Sequence, residues 1–184
     1  KKLNSLASIY AIASKSGNKS RSVAEQYSAN YSTTKYNDLL EDKSVDAVLI
    51  STRHDTHSKI VKDSLNAGKH VFVEKPLALS KEELNQINTM DSENIEIPLL
   101  MVGYNRRFSD IAIKAKSILK GRKSPLIIDY VVNAGELERD HWLNDKHGGG
   151  RNIGEACHMY DLFTFFTESR FSEIKASSIS GQDG

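Results

Sequence analysis

From residue 9 to residue 76 short apolar runs alternate with stretches of helical periodicity, and that alternation leaves few folds open to the chain. Repeated strand-helix units are the signature of a parallel sheet, so the reading is an α/β, Rossmann-like doubly wound fold. Buried-type strands are predicted at 8–14, 46–51 and 70–73, with amphipathic helices near 18–27, 36–41 and 54–66. Gly68 stands where the last of these helices needs a C-cap. Ser80 followed by Glu83 has capping-box spacing and opens a further helix from 81 to about 90, which leads to a strand at 99–103.

After Tyr104 the pattern changes. A helix near 109–119 is followed by a Gly-Arg-Lys-Ser-Pro turn, a strand at 126–132, a polar stretch over 133–150, a helix at about 154–166 and a strand near 172–179. The division is therefore a first domain over 1–104 and part of an α+β second domain over 105–184. Composition excludes several function classes. The 25 basic and 24 acidic side chains leave a net charge of +1 with no basic stripe, against a nucleic-acid partner. The longest apolar runs, such as Pro98-Leu99-Leu100-Met101-Val102, fall far short of the roughly twenty residues that cross a bilayer. One cysteine, Cys157, excludes an internal disulfide and fits a reducing compartment, so the cytoplasm is the expected location. The chain starts Lys1-Lys2-Leu3 without an initiator methionine or a leader pattern, and it reads as an internal piece of a longer polypeptide.

The residues with chemical potential cluster at strand ends. Val73-Glu74-Lys75-Pro76 delivers a lysine to the carboxyl end of a strand, where open α/β sheets form their ligand crevices. His158 and Asp161, three residues apart, share a helix face with Leu162 and Phe165. An imidazole with an ordinary pKa of about 6.5 suits proton exchange at neutral pH, while a histidine on an amphipathic helix also serves simply as core. A metal site built from His54, His57, Cys157, His158 and Asp161 has no recognised ligand spacing, and none is assigned.

Three ordered motifs carry a family resemblance: Asp46-Ala47-Val48-Leu49-Ile50-Ser51-Thr52 with His57, then Ala67-Gly68-Lys69-His70-Val71-Phe72-Val73-Glu74-Lys75-Pro76, then Gly103-Tyr104-Asn105-Arg106-Arg107-Phe108. Together they resemble the Gfo/Idh/MocA family of nicotinamide-dependent sugar and polyol oxidoreductases. Residues 133–135, His141-Trp142 and 148–158 are similar to a branch often fused behind a zinc-type alcohol dehydrogenase domain. The resemblance implies that Lys75 and His158 are catalytic, with Lys75 beside the nicotinamide and the reacting carbinol and His158 as acid/base or orienting group. It places Glu74 on the nicotinamide ribose, Ser51, Thr52, His57 and Asn105 along the dinucleotide, and Asp161 among the sugar hydroxyls. It also implies dimers or tetramers built on open second-domain sheets. Taken as residues alone, Ser51 and Thr52 also suit a strand-end turn, and His57 a helix face that packs with Ile60 and Val61.

Two departures matter. Many members place an aspartate four residues before the histidine, whereas this chain has Gly154, with Glu155 beside it as a shifted substitute. Before residue 9 a dinucleotide-binding domain needs a strand, a glycine-rich turn and a helix, yet no glycine precedes Gly17. The fold is thus expected to lack its first strand, and residues 1–104 to form a partial dinucleotide-binding domain. At the end of the first visible strand, Ser14-Lys15-Ser16 carries no acid for a ribose 2′-hydroxyl, so NADP is favoured over NAD, with Ser14 and Lys15 as contacts. The polar segment 136–142 is a candidate substrate wall, in which Trp142 either stacks on a sugar or packs between domains. The expected activity is hydride transfer at a secondary alcohol or ketone of a sugar, polyol or nucleotide sugar; the alternative is a non-catalytic nicotinamide-fold binding or regulatory module.

Overall fold

The computed structural model describes residues 7–89 and 98–178. Strands β1 (Ala11–Ala13), β2 (Tyr31–Thr33), β3 (Ala47–Ile50), β4 (His70–Val73) and β5 (Leu100–Val102) interleave with helices α1 (Gly17–Tyr27), α2 (Asn37–Glu41), α3 (His57–Asn66) and α4 (Lys81–Asn88). All pairings among the described residues are parallel: β1 with β2, Ala11 opposite Tyr31, and separately β3-β4-β5, with Ala47 opposite His70 and Val71 opposite Leu100. A doubly wound sheet of order 3-2-1-4-5-6 that lacks strand 1 falls into such a pair and triplet. The break between β1-β2 and β3-β4-β5 is therefore where a first strand belongs. β2 was not expected, because Tyr31-Ser32-Thr33 is too short and polar to stand out; it forms by pairing with β1.

Local chemistry sets the helix ends. The Ser80 hydroxyl accepts the Glu83 N–H at 3.1 Å, and the Glu83 carboxylate reaches back to the Leu79 N–H at 2.8 Å, one residue earlier than the usual reciprocal partner. Gly68 takes φ +73°, which lets the Lys69 N–H return to the Ser64 carbonyl at 3.0 Å and close α3. The core lies between the three-stranded sheet and α3 and α4, where Ile50, Val61, Leu65, Val71, Val73 and Ile87 are buried against one another. Each such side chain contributes about 1.5–3 kcal/mol relative to exposure. The opposite sheet face is different: Leu49, Phe72 and Met101 stand in one row across the strands, with Leu49 66% and Met101 45% exposed. The strands are not buried on both faces, because an apolar run records capacity for burial and the described residues cover one face only.

Beyond β5 come a tight turn at Asn105–Phe108, helix α5 (Asp110–Leu119) capped by Ser109, a second tight turn at Trp142–Asn144, a π-helical turn at Asn152–Ala156, and helix α6 (Cys157–Thr167). The helices expected at 54–66 and 154–166 each begin in a turn of different pitch, at His54–Thr56 and Asn152–Ala156. The strands expected at 126–132 and 172–179 do not form within the described residues; residue 179 lies outside them, as does Met90 at the end of the expected fourth helix. Ile127 and Val131 are almost fully exposed. β-propensity marks a segment able to pair, and pairing itself needs a neighbouring strand.

Candidate active site

Because β3, β4 and β5 run parallel, the residues that follow them emerge on one edge: Ser51 and Thr52, Glu74 and Lys75, and Asn105; Ser14 and Lys15 follow β1 of the other sheet. The hydrogen bond from His147 holds the Asp55 carboxyl below the usual range, with the Lys15 charge a minor contributor. Lys75 lies two residues beyond β4, ahead of a cis Lys75–Pro76 peptide, and its Nζ donates to the Gly154 carbonyl at 2.5 Å. The chain after β4 is thus joined to the π-helical turn ahead of α6.

His57 braces this junction from behind. It is completely buried, with Nδ1 2.8 Å from the Pro76 carbonyl oxygen and Nε2 3.0 Å from that of Thr52. Both ring nitrogens face carbonyl oxygens rather than the open sheet edge, where a dinucleotide contact was expected. Instead it ties the turn after β3 to the one after β4. Glu74 donates its N–H to the Ile50 carbonyl at 2.8 Å. Its Oε2 would lie 3.2 Å from a Cβ on Gly103, so a bare Gly103 leaves the carboxylate its place.

From the other side, α6 presents His158. The ring is buried, its Nδ1 has no hydrogen-bond partner, and Tyr104 meets it edge-on at 6.3 Å between centroids. Burial first, then the positive charges of Lys75 and Arg106, hold His158 below the ordinary histidine value against the pull of Asp161 and Glu74. Burial also pushes the Cys157 thiol and the Tyr104 hydroxyl up. Among the described residues, no group of three His, Cys, Asp or Glu side chains is disposed to hold a metal ion.

A strap formed by 142–150 closes over Arg53, His54 and Asp55. The edge of His54 meets Trp142 at 4.8 Å, Arg53 lies 5.7 Å over the indole, and His54 Nδ1 is 2.9 Å from the Gly148 carbonyl oxygen. His147 Nδ1 is 2.5 Å from the Asp55 carboxylate, and the Asp55 N–H donates to the His147 carbonyl. Gly148 is required here, since a Cβ would overlap the Leu143 backbone. Trp142 therefore packs against Arg53 and His54, next to the end of β3.

The other expected residues lie nearby. Ser51, Thr52 and Asn105 are exposed on the sheet edge, and Thr52 shares a 2.6 Å hydroxyl contact with Thr56. Ser14 accepts the Ser16 N–H at 3.4 Å, and Lys15 is exposed. Glu155 pairs with Arg151 at 3.6 Å and makes no hydrogen bond to His158, so it does not replace the missing aspartate. A Cβ at 154 would sit 2.7 Å from Leu143 Cδ1 and 3.3 Å from His54 Cε1, so a side chain there requires the Leu143 side chain to shift. Asp161, expected among the sugar hydroxyls, accepts from Arg107 at both carboxylate oxygens. Sequence reasoning assigned no role to Arg107, to the His147–Asp55 pair or to the Gly154 carbonyl. Arg107 lay inside a quoted motif; the others left no local signal.

Residues 1–104 match the family model described as an oxidoreductase family with an NAD-binding Rossmann fold, Gfo/Idh/MocA. The chain is 30% identical over 170 residues to an uncharacterized oxidoreductase of Bacillus subtilis, YrbE, covering 91% of this chain and 49% of that protein. It is 33% identical over 153 residues to a myo-inositol 2-dehydrogenase of Thermotoga maritima, covering 76% of this chain and 45% of that one. The chain thus spans about half the length of these curated relatives. The solved structure of a levoglucosan dehydrogenase in complex with NADH and levoglucosan superimposes with a TM-score of 0.69 at 22% identity, over 86% of this chain and 45% of that one, and shows the shared fold. With its strand pattern and a family model matching more than half its length, the chain belongs to the Gfo/Idh/MocA oxidoreductase family.

Proposed function

We propose that the polypeptide carrying this chain is a nicotinamide-dependent oxidoreductase that acts at a secondary alcohol or ketone of a sugar, polyol or nucleotide sugar. The observation that carries the reading is the convergence of Lys75, from the tip of β4, with His158, one turn beyond the carbonyl that Lys75 binds. The bound nicotinamide supplies the hydride acceptor or donor. The sheet edge fits its nicotinamide end, with Glu74 toward the ribose and Ser51, Thr52 and Asn105 alongside. A glycine-rich pyrophosphate turn is not among the described residues. Lys15, exposed beyond β1 where no acid stands, favours a 2′-phosphate and hence NADP.

In this reading Lys75 Nζ gives one N–H to Gly154 and keeps two to orient the substrate hydroxyl, while its charge stabilises the oxygen as its proton leaves. His158 is held neutral near pH 7, and because Nδ1 is buried, Nε2 is the atom that exchanges the proton. The myo-inositol and levoglucosan dehydrogenases among its relatives and structural neighbours support a cyclic polyol or sugar as substrate class. One observation favours the second reading, a non-catalytic nicotinamide-binding module: Leu143 and His54 occupy the space beside Gly154, so the carboxylate common in the family is absent and would need Leu143 to move.

Fluorescence titration with NADPH and NADH, on this chain and on the full-length polypeptide, followed by turnover assays with inositols and hexoses, separates the two. Turnover that falls about 100-fold or more in Lys75→Ala and His158→Ala, with cofactor binding retained, is the expected result. Cofactor binding without turnover on any polyol or sugar would establish the module instead.

A further inference from the structure

His158 can handle a proton only if α6 presents the imidazole at one rotation and if no carboxylate captures it. Three parts of the chain surround the ring. Glu74 and Lys75 approach from the end of β4, Tyr104 and Arg106 from the chain after β5, and Cys157 and Asp161 belong to α6 itself. Asp161 is the critical neighbour. It lies three residues after His158, hence on the same helix face, and is itself buried. A free carboxylate there would pair with the imidazole and favour its charged form.

Arg107 prevents this. Its Nε donates to Asp161 Oδ2 at 2.8 Å and its NH2 group donates to Oδ1, a two-pronged contact that uses both oxygens. The guanidinium also lies 5.5 Å over the Phe165 ring, one turn further along the same helix. Arg107 sits in the turn Asn105–Phe108 directly after β5, so the contact joins the edge of the sheet to the helix that bears His158.

We propose that Arg107 is a positioning residue for His158: by holding both oxygens of Asp161 it fixes the rotation of α6 and keeps that carboxylate away from the imidazole. The assignment rests on the reading of His158 as the proton-handling group. It differs from a mere structural ion pair, which would hold the helix without governing how His158 titrates.

The test is an NMR titration of His158 in the intact chain with selectively labelled histidine. In Arg107→Gln the released carboxylate should move the His158 midpoint to higher pH than in the wild type, and in Arg107→Gln with Asp161→Asn it should return toward the wild-type value. The double variant separates this from unfolding, which would raise the midpoint in both. Arg107→Lys, which leaves one Asp161 oxygen unpaired, should fall between and serves if Arg107→Gln does not fold. Wild-type titration in Arg107→Gln and Arg107→Lys, or a double variant as high as Arg107→Gln alone, would overturn the proposal. The titration needs no turnover, so if His158 moves as expected while His158→Ala leaves full-length turnover intact, the proton-handling role of His158 fails and only the control of its titration by Arg107 stands.

Discussion

Replacing His57 with alanine removes a side chain that joins the turns after β3 and β4. The ring is completely buried, between the carbonyl oxygens of Pro76 at 2.8 Å and Thr52 at 3.0 Å. A neutral imidazole donates from one nitrogen at a time, so the variant loses one donor bond, about 1 kcal/mol net. It also opens a cavity, for which about 2 kcal/mol, the low end for large-to-small core changes, is appropriate to a ring smaller than phenyl. The expected cost is about 3 kcal/mol, which in a chain of this size lowers Tm by about 6–12 °C. Thermal and urea unfolding followed by circular dichroism measure it directly. His57→Gln, which keeps one donor, should recover about 1 kcal/mol of the loss. A cost below about 1 kcal/mol for His57→Ala would refute the bracing role, since a fully buried ring that donates to a carbonyl oxygen cannot be removed so cheaply.

Two further outcomes follow from the same geometry. Gly154→Asp, which restores the residue type many family members carry, should destabilise by about 1–3 kcal/mol through overlap with Leu143 and His54. Leu143→Ala in the same chain should relieve part of that overlap, and equal Tm values for Gly154→Asp and the wild type would show that the pocket has room. His54 and His158 are both held below the ordinary histidine value, chiefly by burial, so each binds fewer protons folded than unfolded between the two pKa values. Their contribution to stability is complete above about pH 6.5 and is lost as the pH falls through the folded-state values. Urea midpoints between pH 7.5 and 5 should therefore decline, and less steeply in His158→Asn. Trp142, the only tryptophan, meets His54 edge-on, so its emission should report the protonation of His54 over the same range.

The strand-helix alternation and the capping residues Ser80, Glu83 and Gly68 were legible because they depend on neighbours within a few residues. Lys75 was legible for a similar reason: a lysine at the end of an apolar strand is placed by local chain direction, and the direction of one parallel strand fixes the edge to which all belong. His158 and Asp161 could be put on one helix face by spacing alone. Their separate fates could not, since Asp161 is claimed by Arg107, 54 residues earlier, and His158 is left with an unpartnered Nδ1. The burial of His57 between two carbonyl oxygens, the hold of Gly154 on Lys75 and the packing of Trp142 against Arg53 and His54 likewise join residues distant in the chain. The strands foreseen at 126–132 and 172–179 mark the opposite limit, for their composition favours pairing while the described residues offer no strand to pair with. What the sequence by itself determined were most of the helices, the principal strands of the first part and the strand-end positions of Ser51, Thr52, Glu74 and Lys75, all encoded at short range. Only the tertiary structure decided which polar groups are consumed by one another and which remain free to act, because hydrogen bonds and burial are shared out among whatever the fold brings within a few ångströms.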